Sequence, residues 1–584
     1  MSRAIEDRRR GRDWGPSHQQ ISAPWQRQRS PVWRLVGWFL AAMFLHNAID
    51  KGGGDELAWC LNAMVLGWLA KMLVRAVREE RVPVAWLVNA VAVLGLRLAT
   101  LLVRTGPLWL VMRIARWRER TGWTPRPQAL VSPAQEARDE VERCGGGAYL
   151  GEREEGEWVC ADPESAVMVL GPPRSGKTSA VMIPALLGSP GAAVSTSTKP
   201  DVMRATRRAR SELGRVWLFD PAGEEGERPP SGVRQLRWSP VAAAGTWDRA
   251  LMTARAMTAS THAGKGTTNE GHWSERAAAL LAPLLYAASL TGRPIEDVLR
   301  WTLRQDTTDA LEILASQHQH ETAANVLAGI ERTDTRERSS IYSATAGVLA
   351  AYNADATRAT AKNPNFDPRE FAKSTDTIYI TAPEHRQAQC TPLIVGLLEQ
   401  IRHAVYEDAR RLVGRGGRQP MLWALDEVAN IAPIHDLPAL VSQAGGQGLQ
   451  ILVGLQDLSQ ARGRWGEAAA EGFMSLFQTR LVLNGIADPR TLESISLALG
   501  EYDRTLVSAS AGTSESEQWL APQGRSEGVS CQTQSRRTLT PGEIASLPRG
   551  HGLLLEGGAW ELIRLTPWHR NQGWADVAHN SIYG

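Results

Sequence analysis

Ala166-Val167-Met168-Val169-Leu170-Gly171-Pro172-Pro173-Arg174-Ser175-Gly176-Lys177-Thr178-Ser179 joins an apolar run to a complete G-x-x-x-x-G-K-[ST] loop and the start of a helix. A loop that wraps a polyphosphate must aim several backbone N–H groups inward, and bulky side chains would obstruct that approach. Gly171 and Gly176 supply backbone freedom, while Pro172, Pro173, Arg174 and Ser175 form the variable interior of the loop. Lys177 is positioned to place its ammonium on the β- and γ-phosphates. Thr178 offers a hydroxyl to Mg²⁺, and the helix that opens at Ser179 adds partial positive charge. Such a pattern arises by chance in Gly-rich chains, so the preceding buried-strand signal matters. The ligands expected from it are ATP and Mg²⁺.

Working outward, short apolar runs at residues 167–170, 192–197, 216–219, 377–381, 422–425, 450–455 and 480–484 alternate with helical stretches. Fully apolar strands separated by helices predict an α/β fold with a mostly parallel central sheet covered on both faces. Ligands of such sheets sit at the strand C-terminal ends, where the loop at Gly171 falls. The run Met421-Leu422-Trp423-Ala424-Leu425 ends in Asp426-Glu427. Two acids after an apolar strand suit Asp426 as a holder of Mg²⁺ and Glu427 as the general base that polarises the attacking water. By itself this pair also fits a helix N-terminal cap; together with the loop at Gly171 it reads as the second half of a nucleotide site. Gln456 ends the next strand and is the third catalytic candidate beside Glu427 and Lys177, the alternative being a strand-end residue that satisfies a backbone group. Some 150 residues separate the third strand from Thr377, and helical periodicity at 275–290 and 341–352 predicts an inserted all-helical domain over 246–369. Within it, His262, Gly264, Lys265, Gly266 and His272 read as a polar loop rather than a metal site.

The first 150 residues differ in kind. Residues 1–30 are Arg-rich without a long apolar run and read as a disordered cytoplasmic tail. Apolar runs at 35–49 and 57–74, separated by Asp50-Lys51-Gly52-Gly53-Gly54-Asp55-Glu56, predict a transmembrane hairpin. Arg75, Arg78 and Arg81 follow the second span and put both ends in the cytoplasm. A further apolar region to residue 115 contains Arg97 and reads as a second irregular hairpin or a partly interfacial segment. Residues 116–147 read as a basic juxtamembrane linker, 148–245 and 370–584 as the nucleotide-binding domain, and 508–535, rich in Ser, Gly, Gln and Glu, as a flexible loop.

Composition bounds less. The 584 residues exceed one ordinary domain, and a net charge of +3 excludes a surface coated in nucleic acid but not a local DNA channel. The five cysteines, Cys60, Cys144, Cys160, Cys390 and Cys531, show no C-x-x-C spacing, so neither a zinc site nor a disulfide framework is indicated. Many of the 22 tryptophans fall in or beside the first 125 residues, as expected at membrane interfaces.

The order of motifs resembles the TraG/TraD-type coupling proteins of conjugative type IV secretion systems, over about residues 160–570. The resemblance rests on Gly171 to Thr178, on Ser197-Thr198-Lys199-Pro200-Asp201, on Leu425-Asp426-Glu427-Val428-Ala429-Asn430 and on Gly448-Leu449-Gln450 leading to Gln456-Asp457-Leu458. It closes with Leu539-Thr540-Pro541-Gly542-Glu543-Ile544. It implies a RecA-like P-loop ATPase anchored in the cell membrane by N-terminal transmembrane helices, with the ATPase domain in the cytoplasm. It also implies a homo-hexamer that delivers relaxase-bound single-stranded DNA, in preference to double-stranded DNA, to type IV secretion channel proteins. In RecA-like motors a polar residue at the position of Gln456 contacts the γ-phosphate or water. An FtsK-like double-stranded DNA pump and a substrate-docking receptor in which ATP serves assembly are the alternatives. One departure stands out: residues 442–448 hold no Arg where relatives often carry one, leaving Arg462, Arg464 and Arg480 as candidates for a trans arginine finger.

Overall fold

The apolar runs form the middle of one large sheet. The computed structural model describes residues 132–223, 229–261, 270–412, 419–514 and 524–579. The expected tail at 1–30, the transmembrane region at 31–115 and the first half of the linker lie outside the described residues, as do His262, Gly264, Lys265 and Gly266; His272 is exposed. Among the described residues no helix is long and apolar enough to cross a membrane.

In chain order the strands are β1 (Tyr149–Glu152), β2 (Trp158–Cys160), β3 (Val167–Leu170), β4 (Ala193–Ser197), β5 (Val216–Phe219), β6 (Val233–Gln235) and β7 (Thr377–Thr381), then β8 (Met421–Leu425), β9 (Leu449–Leu455) and β10 (Thr479–Leu483). A ribbon of β11 (Glu501–Ser514) and β12 (Gly524–Arg537) precedes β13 (His551–Glu556) and β14 (Ala559–Arg564). Twelve of them share one sheet in the order β2-β1-β14-β13-β10-β3-β9-β8-β4-β7-β5-β6. From β10 to β6 every pairing is parallel, and the four strands at the other edge pair antiparallel.

The parallel strands are apolar throughout because both faces are covered. Successive side chains point to opposite faces, and the core divides accordingly. Met168, Leu170, Trp423, Leu425, Ile451 and Val453 join one apolar cluster, while Val167, Val169, Leu422, Ala424 and Leu452 join the other. The first cluster continues into the helical insertion through Leu280, Leu284 and Trp301, and the second into the helix after the phosphate loop through Val181 and Ile183. The insertion is therefore one body with the face of the sheet it covers.

Between β6 and β7 the described chain is helical from Pro240 to Ala372, against the expected 246–369. Its longest helix, Glu270–Leu290, buries Leu280, Leu281, Leu284 and Leu285 completely.

Two segments depart from the sequence expectation. Within the expected linker at 116–147, Pro133–Arg143 is a helix docked on the folded body. Ser132 caps it, Ala134, Ala137 and Val141 are buried, and the Arg138 guanidinium donates to Ala209 O at 2.7 Å. Its charged outer face and opening proline hid a narrow apolar stripe from the sequence reading. The expected loop at 508–535 is instead largely ribbon: β11 and β12 pair antiparallel in continuous register from Glu501↔Arg537 to Ser514↔Gly524. Its polar composition misled because backbone pairing in a hairpin needs no apolar face.

A candidate nucleotide site

The loop at Gly171 leaves β3 at the sheet's C-terminal edge. Gly171 N donates to Leu455 O at 3.1 Å, which sets the loop beside the end of β9. A Cβ on Gly171 would stand 2.6 Å from Ser175 Oγ and 2.9 Å from Leu483 Cβ, so only glycine fits. Inside the curl, Ser175 N donates to Pro172 O at 3.2 Å, while Pro173 and Arg174 face solvent. Gly176, with φ 104°, turns the chain into the helix.

The helix opens on a π turn, Lys177–Met182, before the α turns Ile183–Gly188. Pro184 lacks the N–H that an α-helix would direct at Ala180 O, and Ile183 N bonds Thr178 O five residues back. Behind it, Ser179 Oγ donates to Gly176 O at 3.5 Å, and Ser179 O accepts from Trp568 N at 2.8 Å. The C-terminal segment thus latches the start of this helix, a contact that no local sequence signal carries.

Lys177 is 7% exposed, and its ammonium donates to Gly171 O and to Pro172 O, the latter at 3.4 Å. Burial pulls its pKa below the usual lysine value, and the nearby carboxylates Asp426, Glu427 and Asp457 partly oppose this. An ammonium held only by loop carbonyls in a desolvated site is ready to exchange them for an anion.

Asp426 and Glu427 follow β8 across the sheet. Thr178 Oγ1 donates to Asp426 Oδ2 at 2.5 Å, so the two expected metal-binding residues are in direct contact. Thr196 Oγ1, at the end of β4, donates to Asp426 O at 2.9 Å and fixes the turn from below. Neither Thr196 nor Gly454 was singled out from the sequence; a Cβ on Gly454 would stand 2.7 Å from Asp426 Oδ1. Glu427 has φ 51°, and its carboxylate accepts from Asn430 Nδ2 at 3.4 Å. Arg174 and Glu427 are two of only four non-glycine residues at positive φ among the described residues. Backbone strain of this kind, about 1–3 kcal/mol per residue, concentrates at functional sites.

Gln456 stands next to Leu455 and hence beside Gly171, half-buried, with its backbone N donating to Gln460 Oε1 at 2.8 Å. The three arginines are engaged within the chain. Arg462 pairs with Asp488 at 2.5 Å, Arg464 Nη2 donates to Ser260 O at 2.5 Å, and Arg480, 8% exposed, donates to Met474 O and Gly557 O.

The residues present fit a nucleoside triphosphate with Mg²⁺. Ser175 Oγ is buried in the loop without a partner, an orphaned polar atom that a phosphate oxygen would satisfy. Thr178 and Asp426 supply the hard oxygens that Mg²⁺ takes. Among the described residues no cluster of three His, Cys, Asp or Glu offers another metal site.

The chain is 23% identical over 353 residues to Protein VirD4 of Rhizobium rhizogenes, covering 59% of this chain and 51% of that protein. It is 23% identical over 362 residues to Protein VirD4 of Agrobacterium fabrum, covering 61% and 52%. The chain thus spans about half the length of these relatives. Among solved structures, the unbound conjugative coupling protein TrwB superposes with a TM-score of 0.52 at 17% identity, over 74% of this chain and 91% of that one. The plasmid coupling protein TrwB in complex with ADP and Mg²⁺ gives 0.52 at 17%, over 74% and 92%. These likenesses show a shared α/β fold. The family model for type IV secretory system conjugative DNA transfer matches residues 119–562, more than half of the chain, and the protein belongs to that family.

Proposed function

We propose that this protein is the ATP-hydrolysing coupling motor of a conjugative type IV secretion system, moving DNA from a relaxase-bound substrate to the secretion channel. The observation that carries this reading is the Thr178–Asp426 contact, which joins the phosphate loop to the acid pair with Glu427 as its next residue. Family membership and the likeness to a coupling protein solved with ADP and Mg²⁺ support it. In this reading the apolar runs at 35–49 and 57–74 anchor the chain in the cell membrane with the ATPase domain cytoplasmic. A homo-hexamer is the assembly proposed.

Each residue then has a role. Loop N–H groups and the Lys177 ammonium bind the β- and γ-phosphates, Lys177 leaving the carbonyls of Gly171 and Pro172 to do so. Thr178 and Asp426 would hold Mg²⁺, which when bound neutralises developing phosphate charge. Glu427 orients the attacking water and takes its proton at the carboxylate. Gln456, beside Gly171, contacts the γ-phosphate side of the site and reports its state to the neighbouring subunit.

The test is Mg²⁺-dependent ATP turnover by the full-length protein in detergent, titrated with single- and double-stranded DNA. Turnover stimulated by single strands is the expected result. ATP binding without turnover under every DNA condition would overturn the motor in favour of a docking receptor, and stimulation by duplex alone would favour a double-stranded DNA pump.

A further inference from the structure

A cavity of about 1010 Å³ opens between the helical insertion and the segments that follow β8 and β9. The insertion contributes Ser340, Ser343 and the half-buried Trp273; the helix Gln387–Leu412 contributes Gln387; Asn430 and Arg464 close the motor side. Arg464 reaches across to Ser260 O at 2.5 Å and ties the two walls together.

Asn430 belongs to this wall and to the nucleotide site at once. Its side-chain amide donates to Glu427 Oε2 at 3.4 Å, and its backbone oxygen accepts from Thr391 Oγ1 at 3.4 Å. A hydrogen bond to a carboxylate stabilises it where it stands and competes with its work as a base toward water.

We propose that the cavity binds a segment of single-stranded DNA and that Asn430 is the positioning residue through which its occupation controls Glu427. The lining offers serine hydroxyls and Gln and Asn amides for phosphodiester oxygens and base edges, the Arg464 guanidinium for charge and an indole on which a base stacks, with one carboxylate, Glu384, among the lining residues. A strand that draws the Asn430 amide into the cavity releases the Glu427 carboxylate to orient water. ATP turnover then rises only when substrate lies between insertion and motor.

The inference rests on the ATPase reading above, and its failure is separable from the failure of that reading. Full-length wild type, Asn430→Ala and Ser343→Trp are compared for ATP turnover with and without a single-stranded oligonucleotide. Asn430→Ala is expected to raise unstimulated turnover about threefold and bring the stimulation ratio close to 1, the size expected for losing one weak charge-assisted hydrogen bond. Ser343→Trp, on the insertion wall, places an indole in the cavity and is expected to lower the stimulation ratio. A stimulated wild type whose ratio survives in both variants overturns the inference and leaves the ATPase reading standing; no turnover in any protein fails that reading instead. Stimulation by an acidic peptide but not by the oligonucleotide overturns the choice of ligand.

Discussion

Thr178 Oγ1 and Asp426 Oδ2, 248 positions apart in sequence, lie 2.5 Å from one another at the C-terminal edge of the sheet. Their contact closes one site from two motifs, because β3 and β8 flank β9 in the same parallel register. Thr178→Ala and Asp426→Asn are expected to weaken the Mg²⁺ dependence of turnover to a similar degree, and the double variant to lose little more. Titrating Mg²⁺ against rate in the three proteins checks this; fully additive losses would mean that the residues act separately.

Lys177 holds the only ammonium in the phosphate loop, and its carbonyl partners can be exchanged for phosphate oxygens. Lys177→Ala is expected to lower turnover by about 100-fold or more and to abolish DNA transfer at matched expression. Normal transfer by that variant would contradict the assigned role.

Gly454 leaves no room beside Asp426. Gly454→Ala places a Cβ 2.7 Å from Asp426 Oδ1 and must displace that carboxylate. A displacement on the order of 1 Å in a catalytic constellation costs about 100-fold in rate, so turnover is expected to fall steeply while nucleotide binding persists. Parallel binding and rate measurements separate the two.

Arg210 is a staple of the fold away from the site. Fully buried, it donates to Thr377 Oγ1 at 2.7 Å, Gly191 O at 2.6 Å and Ser189 O, and burial pushes its pKa down to about 10. Arg210→Met leaves several buried carbonyls without a donor and is expected to destabilise by about 3 kcal/mol or more, read as a lower melting temperature with the ligand sites intact.

His551 gives the protein an acid-sensitive point. Burial holds its pKa below the ordinary histidine value, and its Nδ1 is buried without a partner. The folded state therefore favours the neutral ring. The stability this residue supports is present above about pH 6.5, the unfolded value, and is lost as pH falls from there toward the folded pKa. His551→Gln is expected to show a smaller drop in melting temperature between pH 7.5 and 5.5 than the wild type; an equal drop would remove His551 from the cause.

The parallel half of the sheet was legible because strands covered on both faces are apolar at every position, as in Met421–Leu425 and Val167–Leu170. The site was legible where its residues sit next to each other in sequence, in the loop and in the acid pair. What depends on distant contacts was not. Thr196 and Gly454 act on Asp426 only through sheet order, and Trp568 reaches Ser179 only after the C-terminal strands have paired. The antiparallel edge was hidden for a related reason: β1 and β2 are only four and three residues long, and β13 gains its place by pairing with β10.

The most direct measurement is ATP turnover by full-length Glu427→Gln beside its ATP binding. The substitution keeps the size of the side chain and removes its capacity to take a proton. Retained ATP binding with turnover reduced by about 100- to 10,000-fold is the predicted result. Turnover at the wild-type rate would show that Glu427 is not the base and that the site does not work as a hydrolytic motor in the way its geometry indicates.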